Sequence, residues 1–473
     1  MRKPKKEEIS DWYIKTTKKA ELFDYGPVKG TIILRPYGYA IWELIQQTLN
    51  PKIKSLGCQN VYFPSLIPES FLAKEKEHVE GFSPELAVVT HAGGKKLEEP
   101  LVIRPTSETI MYSLFSKWVS SWRDLPFRIN QWSNVVRWEM RPFPFIRTTE
   151  FLWQEGHTAH SSQKESEQQV LDVLEVYKWF FEEILAIPVV LGKKTEREKF
   201  AGAFYSTSCE ALLMDGKGLQ IGTVHNLGQN FSKPFNITFQ DKNGNRKFVW
   251  QTSWGISTRS IGGLILTHGD EKGLIFPPKI APIQIIIVPI WKNGAERKKV
   301  MLKSDQVLEN LEKFDFRVEM DKRTEFTPGW KFNEWELKGV PLRIEIGPKD
   351  VKNNQLISVR RDSGEKKTIK ITEVRREIPS LLDEIQKDLF RRAVDFVRAN
   401  TFEVKDFKEF IDVLEREKGF IKAPWCGESE CEKLIKEKTK ATTRCIPFNA
   451  EKKGKCIYCG RPSKTTPIWA RAY

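Results

Sequence analysis

Three prolines within six positions, Pro277, Pro278 and Pro282, interrupt the chain a little past its middle. Each removes a backbone donor and restricts the residue before it, so neither a helix nor an inner strand can run through. The hydrophobic pattern changes at this break. Before it, apolar residues at helical spacing predict helices over residues 38–56 and 165–185, and strand-type runs stand at 60–63, 128–132, 151–154 and 248–252. This predicts an α+β domain over residues 1–280, with helices flanking a largely antiparallel sheet. After it, strands expected at 283–288, 316–320, 342–346 and 356–360 alternate with helices over 296–314 and 329–338. That alternation predicts a small α/β domain over residues 281–380. Helices over 380–399 and 407–417 then lead into a third unit, a small α+β domain over residues 381–473 that carries most of the cysteines.

Charge and composition narrow the classes. The formal net charge is +15 over 473 residues, an excess that suits a polyanionic partner such as nucleic acid. The first residues, Met1 to Glu8, are charged and lack the apolar stretch of a secretory signal, and the greasiest run, 283–290, is too short to span a bilayer. Seven cysteines in so long a chain do not form a disulfide framework, so a cytosolic protein without membrane contact is expected.

Four of those cysteines form two close pairs, Cys426 with Cys431 and Cys456 with Cys459, separated by 24 residues. Close pairs joined by a loop suit one tetrahedral structural zinc ion, because thiolates favour zinc and tight turns place two sulfurs on one metal. Gly427 and Gly460 stand where such turns need them. Four sulfur ligands would leave no open position for catalysis.

The densest chemistry lies between Arg104 and Arg259. Arg137 and Glu139 alternate onto one side of an extended run, a pattern that by itself fits an ordinary surface ion pair. Its company is what matters: Thr106 and Glu108 in RPTSET, Glu155 and His157 in EFLWQEGH, and Arg259 in SWGISTRSIGG. These strings, with NVVRWE and HNLGQNFSK, resemble class II aminoacyl-tRNA synthetases, specifically prolyl-tRNA synthetases of the archaeal and eukaryotic type with a C-terminal zinc-binding domain. The resemblance covers essentially the whole chain. It implies a class II catalytic domain over 1–280, an anticodon-binding domain over 281–380 and a zinc-binding domain over 381–473.

The activity implied is ATP-dependent attachment of L-proline to tRNA(Pro) through a prolyl-adenylate, with magnesium accompanying ATP. A carboxylate attacking a polyphosphate meets charge repulsion, so fixed cations and orientation are what the reaction needs. By the resemblance, Arg137 contacts the α-phosphate and the amino-acid carboxylate, and Arg259 holds the γ-phosphate. Glu139 accepts from the adenine amino group, Phe151 stacks on its ring, and Arg147, Thr148, Gln220, Thr223 and Ser257 complete the nucleotide shell. The implied proline site is Thr106, Glu108, Arg137, Trp153, Glu155, His157, Phe200, His225 and Trp254. Thr106 and Glu108 would meet the ammonium, while Trp153, His157 and Phe200 shape the ring site.

The resemblance also implies anticodon contacts, carried onto Arg343, Glu345 and Lys349, and a homodimer built around motif 1, which ends at Pro64. Tyr473 is the position whose carboxylate reaches toward the active site in similar proteins. Only 96 residues separate His157 from Trp254, too few for an editing domain beside the elements expected there. Rejection of alanine would then fall to a separate trans-editing protein. Two other readings stay open at this point: a catalytically inactive tRNA-binding paralogue, and a class IIa synthetase of another specificity. Retention of Arg137 and Arg259 speaks against the first, and the pocket residues against the second.

Overall fold

Buried side chains on both faces of its inner strands give the central sheet its place in the molecule. The computed structural model of the chain describes residues 4, 8–72 and 86–473; most of the charged start lies outside the described residues. Strands β1 (Gln59–Asn60), β2 (Phe127–Val136), β3 (Glu150–His160), β4 (Val190–Lys193), β5 (Tyr205–Leu212), β6 (Gly218–Gly228) and β7 (Trp250–Ser257) form the larger part of it. They lie in the order β4-β5-β6-β7-β3-β2-β1, and all pair antiparallel except β1 with β2. Helix α1 (Pro36–Ser55) starts on a proline and buries Ile41, Ile45, Leu49 and Ile53 along one face. Helix α2 (Gln163–Trp179), capped where the Ser162 side chain accepts from the Glu165 amide, buries Val170, Val173, Leu174 and Tyr177. It ends in a π-helical turn, Phe180–Ile184, that carries the consecutive aromatics Phe180 and Phe181 both into the core. Helix α3 (Arg259–His268) follows β7 directly.

Some boundaries differ from the sequence expectation for visible reasons. The strand expected at 60–63 stops at Asn60, because the Phe63 amide donates to the Gln131 side chain (2.6 Å) instead of to a neighbouring strand. The run at 248–252 is broken at Val249, between a hairpin strand, Arg246–Phe248, and β7.

The α/β domain has a five-stranded sheet of β8 (Ile285–Pro289), β9 (Val318–Met320), β10 (Leu342–Ile346), β11 (Gln355–Arg360) and β12 (Lys366–Lys370). Its order is β9-β8-β10-β11-β12, parallel across the first three and antiparallel across the last three. Helix α4 (Gly294–Glu312) and helix α5 (Pro328–Leu337) supply its connections. Helix α6 (Val374–Ala399) begins six residues before the expected start and runs through Pro379. Val374, Ile378, Leu381, Leu382 and Ile385 are all buried, so the apolar stripe continues across the proline and holds the helix together. The boundary expected at 380–381 therefore falls inside a continuous helix.

The third unit is joined to the first more closely than its cysteine-bearing sequence suggested. Its strands β13 (Thr401–Glu403), β14 (Phe420–Lys422), β15 (Ala441–Pro447) and β16 (Ile468–Arg471) extend the sheet of the first domain, with β15 pairing antiparallel to β4 through Ile446↔Lys193 and Pro447↔Gly192. The result is one eleven-stranded sheet. Beneath the junction Glu210 is fully buried, accepting from Arg444 Nε and Nη2 (2.9 and 2.7 Å) and from Lys194 Nζ (3.3 Å). Burial opposes ionisation of Glu210, but the Arg444 and Lys194 cations outweigh it and hold its carboxyl below the usual range.

Glu210→Ala strands two buried cations and should cost about 3–5 kcal/mol of unfolding free energy, read by urea melts. Because the native pKa of Glu210 is depressed, its contribution is fully present above the ordinary glutamate pKa. The parent chain should lose that contribution as pH falls below that value toward the lower native one, and the variant should lack this slope.

Candidate active site

The residues singled out from the sequence line two adjoining cavities in the first domain, of about 200 and 450 Å³. Thr106, Glu108, Trp153, Glu155, His157, Phe200, Gln220, Thr223, His225 and Trp254 line the first. Glu139, Arg147 and Thr148 line the second, and Arg137, Phe151, Ser257 and Arg259 stand on both. The antiparallel register explains much of this convergence: His157 pairs with Ser253, Glu155 with Gly255, and Trp153 with Ser257 across β3 and β7.

The guanidinium groups between the cavities are fixed by backbone oxygens. Arg137 Nε donates to the Pro105 carbonyl (2.9 Å), and its guanidinium lies over the rings of Phe151 and Trp153 at 5.6 and 5.5 Å. Arg259 Nε donates to the Ile146 carbonyl (2.9 Å). Burial, with the nearby charges of Arg137, Arg147 and Arg444, pulls Arg259 down to about 10, a mark of crowded positive charge. Arg147 Nε stands 3.6 Å from Glu139 Oε2. The second cavity is a place where an anion is favoured.

The first cavity is held by a polar network. Glu155 accepts from Ser107 Oγ (2.5 Å) and Gln131 Nε2 (2.8 Å) and, on its other oxygen, from His157 Nε2 (3.1 Å). Tyr112 lies 3.0 Å from His157 Nδ1. Burial works against protonation of His157, yet Glu155 and Glu108 outweigh it and raise its pKa. His225 goes the other way: burial lowers it to about 4, so it is neutral at physiological pH, with Nδ1 2.7 Å from Ser206 Oγ and its ring stacked on Phe200 at 4.5 Å. Thr106 donates to Glu108. Trp254 lies flat on Gly156, where an added Cβ would come within 2.1 Å of the indole ring. Sequence motifs did not reveal Lys194, Glu198, Lys199 and Ser206, which line the same cavity from outside the recognisable strings. Ser107, Gln131 and Tyr112 were also missed, since their part is to orient other side chains.

In the third unit the ligand atoms of Cys426, Cys431, Cys456 and Cys459 lie within 4.8 Å of one another, with 3.7 Å between the sulfurs of Cys459 and Cys426. Sulfurs bound tetrahedrally at about 2.3 Å from zinc stand roughly 3.8 Å apart, so this geometry fits the ion. Gly427 and Gly460 adopt positive φ (84° and 72°) in the two turns, as the knuckles require. Arg461 Nε points at Cys459 Sγ (3.4 Å) and draws that thiol down to about 6.

Family models match along the chain: "tRNA synthetase class II core domain (G, H, P, S and T)" over residues 90–268, "Anticodon binding domain" over 284–381 and "Prolyl-tRNA synthetase, C-terminal" over 407–473. A proline–tRNA ligase of Natranaerobius thermophilus is 51% identical over 472 residues, covering 99% of this chain and 97% of the relative. Proline–tRNA ligase 2 of Clostridioides difficile is 51% identical over 468 residues, with the same coverages. A crystal structure of prolyl-tRNA synthetase from Cryptosporidium parvum superposes with a TM-score of 0.94 at 45% identity, covering 98% of both chains. The chain belongs to the prolyl-tRNA synthetase family.

Elsewhere in this synthetase the expected anticodon trio divides. Arg343 and Glu345 share a face of β10 and bind each other, Nε and Nη2 to Oε1 at 3.0 and 2.9 Å, with the Arg343 guanidinium 4.2 Å over the Phe332 ring. Lys349 is exposed on the short helix that follows, Pro348–Lys352. Tyr473 reaches the catalytic domain: its hydroxyl donates to Asp215 Oδ2 (2.7 Å), its ring stacks on Phe143 at 5.6 Å, and it lines a small cavity with Arg147, Gln220, Arg259 and Arg444. Among the described residues, no helix is long and apolar enough to cross a membrane.

Gly156→Ala should displace Trp254 and overpack the cavity floor at a cost of about 1–3 kcal/mol. Steady-state kinetics should show this as a raised KM for the amino acid with the KM for ATP near the parent value.

Proposed function

We infer that the chain charges tRNA(Pro) with L-proline in two steps, and that the residues named above carry the roles the resemblance implies. The observation that supports this best is that the amino-acid-sized cavity and the cation-rich cavity meet at Arg137 and Arg259. Proline seated in the first would present its carboxylate at the wall where the α-phosphate of ATP arrives. The carboxylate oxygen attacks that phosphorus, the bond to the β-phosphate oxygen breaks, and pyrophosphate leaves. A ribose hydroxyl of the terminal tRNA nucleotide then attacks the prolyl carbonyl and AMP departs. Neither step needs a covalent enzyme intermediate, so orientation and charge neutralisation carry the catalysis.

Arg137 bridges carboxylate and α-phosphate, and its carbonyl anchor fixes its fork before substrate binds. Arg259 takes the γ-phosphate. Phe151 and Glu139 receive the adenine, and Arg147, Thr148, Gln220, Thr223 and Ser257 complete that shell. Magnesium supplied with ATP would neutralise phosphate oxygens. The Cryptosporidium parvum relative was solved with AMPPNP and halofuginone, which supports a nucleotide site in this fold. Thr106 and Glu108 take the secondary ammonium, while Trp153, Phe200, His225 and Trp254 enclose the ring. Glu155 acts through His157, since both of its oxygens are already engaged with neighbours.

The four cysteines hold a structural zinc, consistent with a reducing cytosol. Arg343, Glu345 and Lys349 face the anticodon. Exposed Tyr62, Leu66 and Val88 near Pro64 support a homodimer seam around motif 1. The segment from His157 to Trp254 is taken up by α2, β4, β5, β6 and the hairpin that ends at Phe248. Alanine selection is therefore left to the pocket and a separate editing protein.

Pyrophosphate exchange scanned over all twenty amino acids tests the reading. Proline should support strong exchange, alanine weaker exchange by about 10–200-fold, and threonine little. Arg259→Ala should lower proline exchange by about 100-fold or more. Folded protein giving no exchange with any amino acid would favour the inactive paralogue. Metal analysis of the purified chain should give about one zinc per chain, lost in Cys426→Ser. Zinc-free protein with four titratable thiols would count against the metal.

A further inference from the structure

One wall of the amino-acid cavity is a turn, residues 194–200, that follows β4 and leads to Phe200. Lys194, Glu198, Lys199 and Phe200 all line the cavity from it. The turn is organised by the Thr195 carbonyl, which accepts from the amides of Glu198 (3.2 Å) and Lys199 (2.9 Å). Farther along, the Phe200 amide donates to Ser206 Oγ (2.9 Å), the same hydroxyl that meets His225. What fixes Thr195 itself comes from another domain. Its hydroxyl donates to Oε1 of Glu432 (2.8 Å), and the same oxygen accepts from Thr443. Thr195, Thr443 and Glu432 are 4%, 1% and 3% exposed, so water does not compete for these bonds. A second tie, Lys436 Nζ to Glu198 Oε1 (3.3 Å), joins the turn to the same helix, Ser429–Thr439.

We propose that Glu432 is a positioning residue for amino-acid recognition: from the C-terminal domain it sets the turn at 194–200 and thereby the Phe200–His225 wall. It touches no substrate. The inference rests on the reading of this cavity as the proline site and adds a determinant outside the catalytic domain.

The test is pyrophosphate exchange with full-length Thr195→Val, Thr195→Ser and Glu432→Ala at equal zinc content, with KM for proline and for ATP measured separately. Thr195→Val is nearly isosteric and keeps the proposal testable where Glu432→Ala folds poorly. Loss of the buried hydrogen bond should raise the proline KM about tenfold in Thr195→Val and Glu432→Ala. The KM for ATP should stay within about twofold of the parent, and Thr195→Ser should restore the proline KM. A merely structural role would lower the active fraction, and so the apparent kcat, without this split. A proline KM unchanged in folded Thr195→Val, or equal rises in both KM values, would overturn the proposal alone. Failure of the parent chain to exchange proline would instead overturn the substrate reading beneath it.

Discussion

The buried carboxylate of Glu210 is the point on which the arrangement of this molecule turns. It is reached by Lys194 from the end of β4 and by Arg444 from β15, the two strands whose pairing fuses two domains into one sheet. Two backbone register pairs make a slender seam. A buried ion network adds directionality, because a misplaced strand would leave charges without partners in a dry interior. The same cluster reaches the cation-rich side of the candidate site: Arg444 lines a recess with Arg259 and contributes to the positive field that lowers it. Stability of the domain junction and electrostatics of the candidate site are thus set by overlapping residues.

That positive field has a cost that the scaffold offsets locally. Arg137 and Arg259 are each anchored through Nε to a main-chain carbonyl, which leaves the outer nitrogens of each fork oriented. Anchoring by main-chain carbonyls holds both guanidinium groups at the junction of the two cavities. Arg360 shows the contrast: its guanidinium is bound by Asp362 and Asp388, and the group serves structure.

Much of this was legible in the sequence because the residues that meet at the site lie in a few long strings, on strands or in the turns and helix starts beside them. The antiparallel pairing of β3 with β7 brings the strings of Glu155 and Trp254 together, as the resemblance implied. The cysteine knuckles were legible for the same reason, being local. What escaped was non-local or carried by ordinary residues. Nothing in Lys194, Thr195 or Arg444 as residue types marks a domain seam; their meaning comes from a pairing across some 250 positions, as between Lys194 and the Arg444 carbonyl. The helix through Pro379 begins at Val374, before the expected residue 380, because a continuous apolar stripe outweighs one missing hydrogen bond.

Specificity in such a pocket is governed by shape more than by charge. Every amino acid offers the carboxylate that Arg137 would bind and an amine for Glu108, so these contacts cannot separate proline from its competitors. Discrimination must come from the enclosing surfaces, Trp254 on Gly156 below and Phe200 on His225 at the side. His225 suits that role because burial keeps it neutral, giving an aromatic wall that adds no further positive charge to the pocket. A rigid wall excludes larger side chains by overlap, but toward a smaller one it can withhold only the contacts that the missing methylenes would have made, about 1–3 kcal/mol. The floor is fixed by the register of a central sheet, whereas the side wall hangs on a turn tied to another domain. The side wall is therefore the part of the pocket that substitutions outside the catalytic domain can reshape.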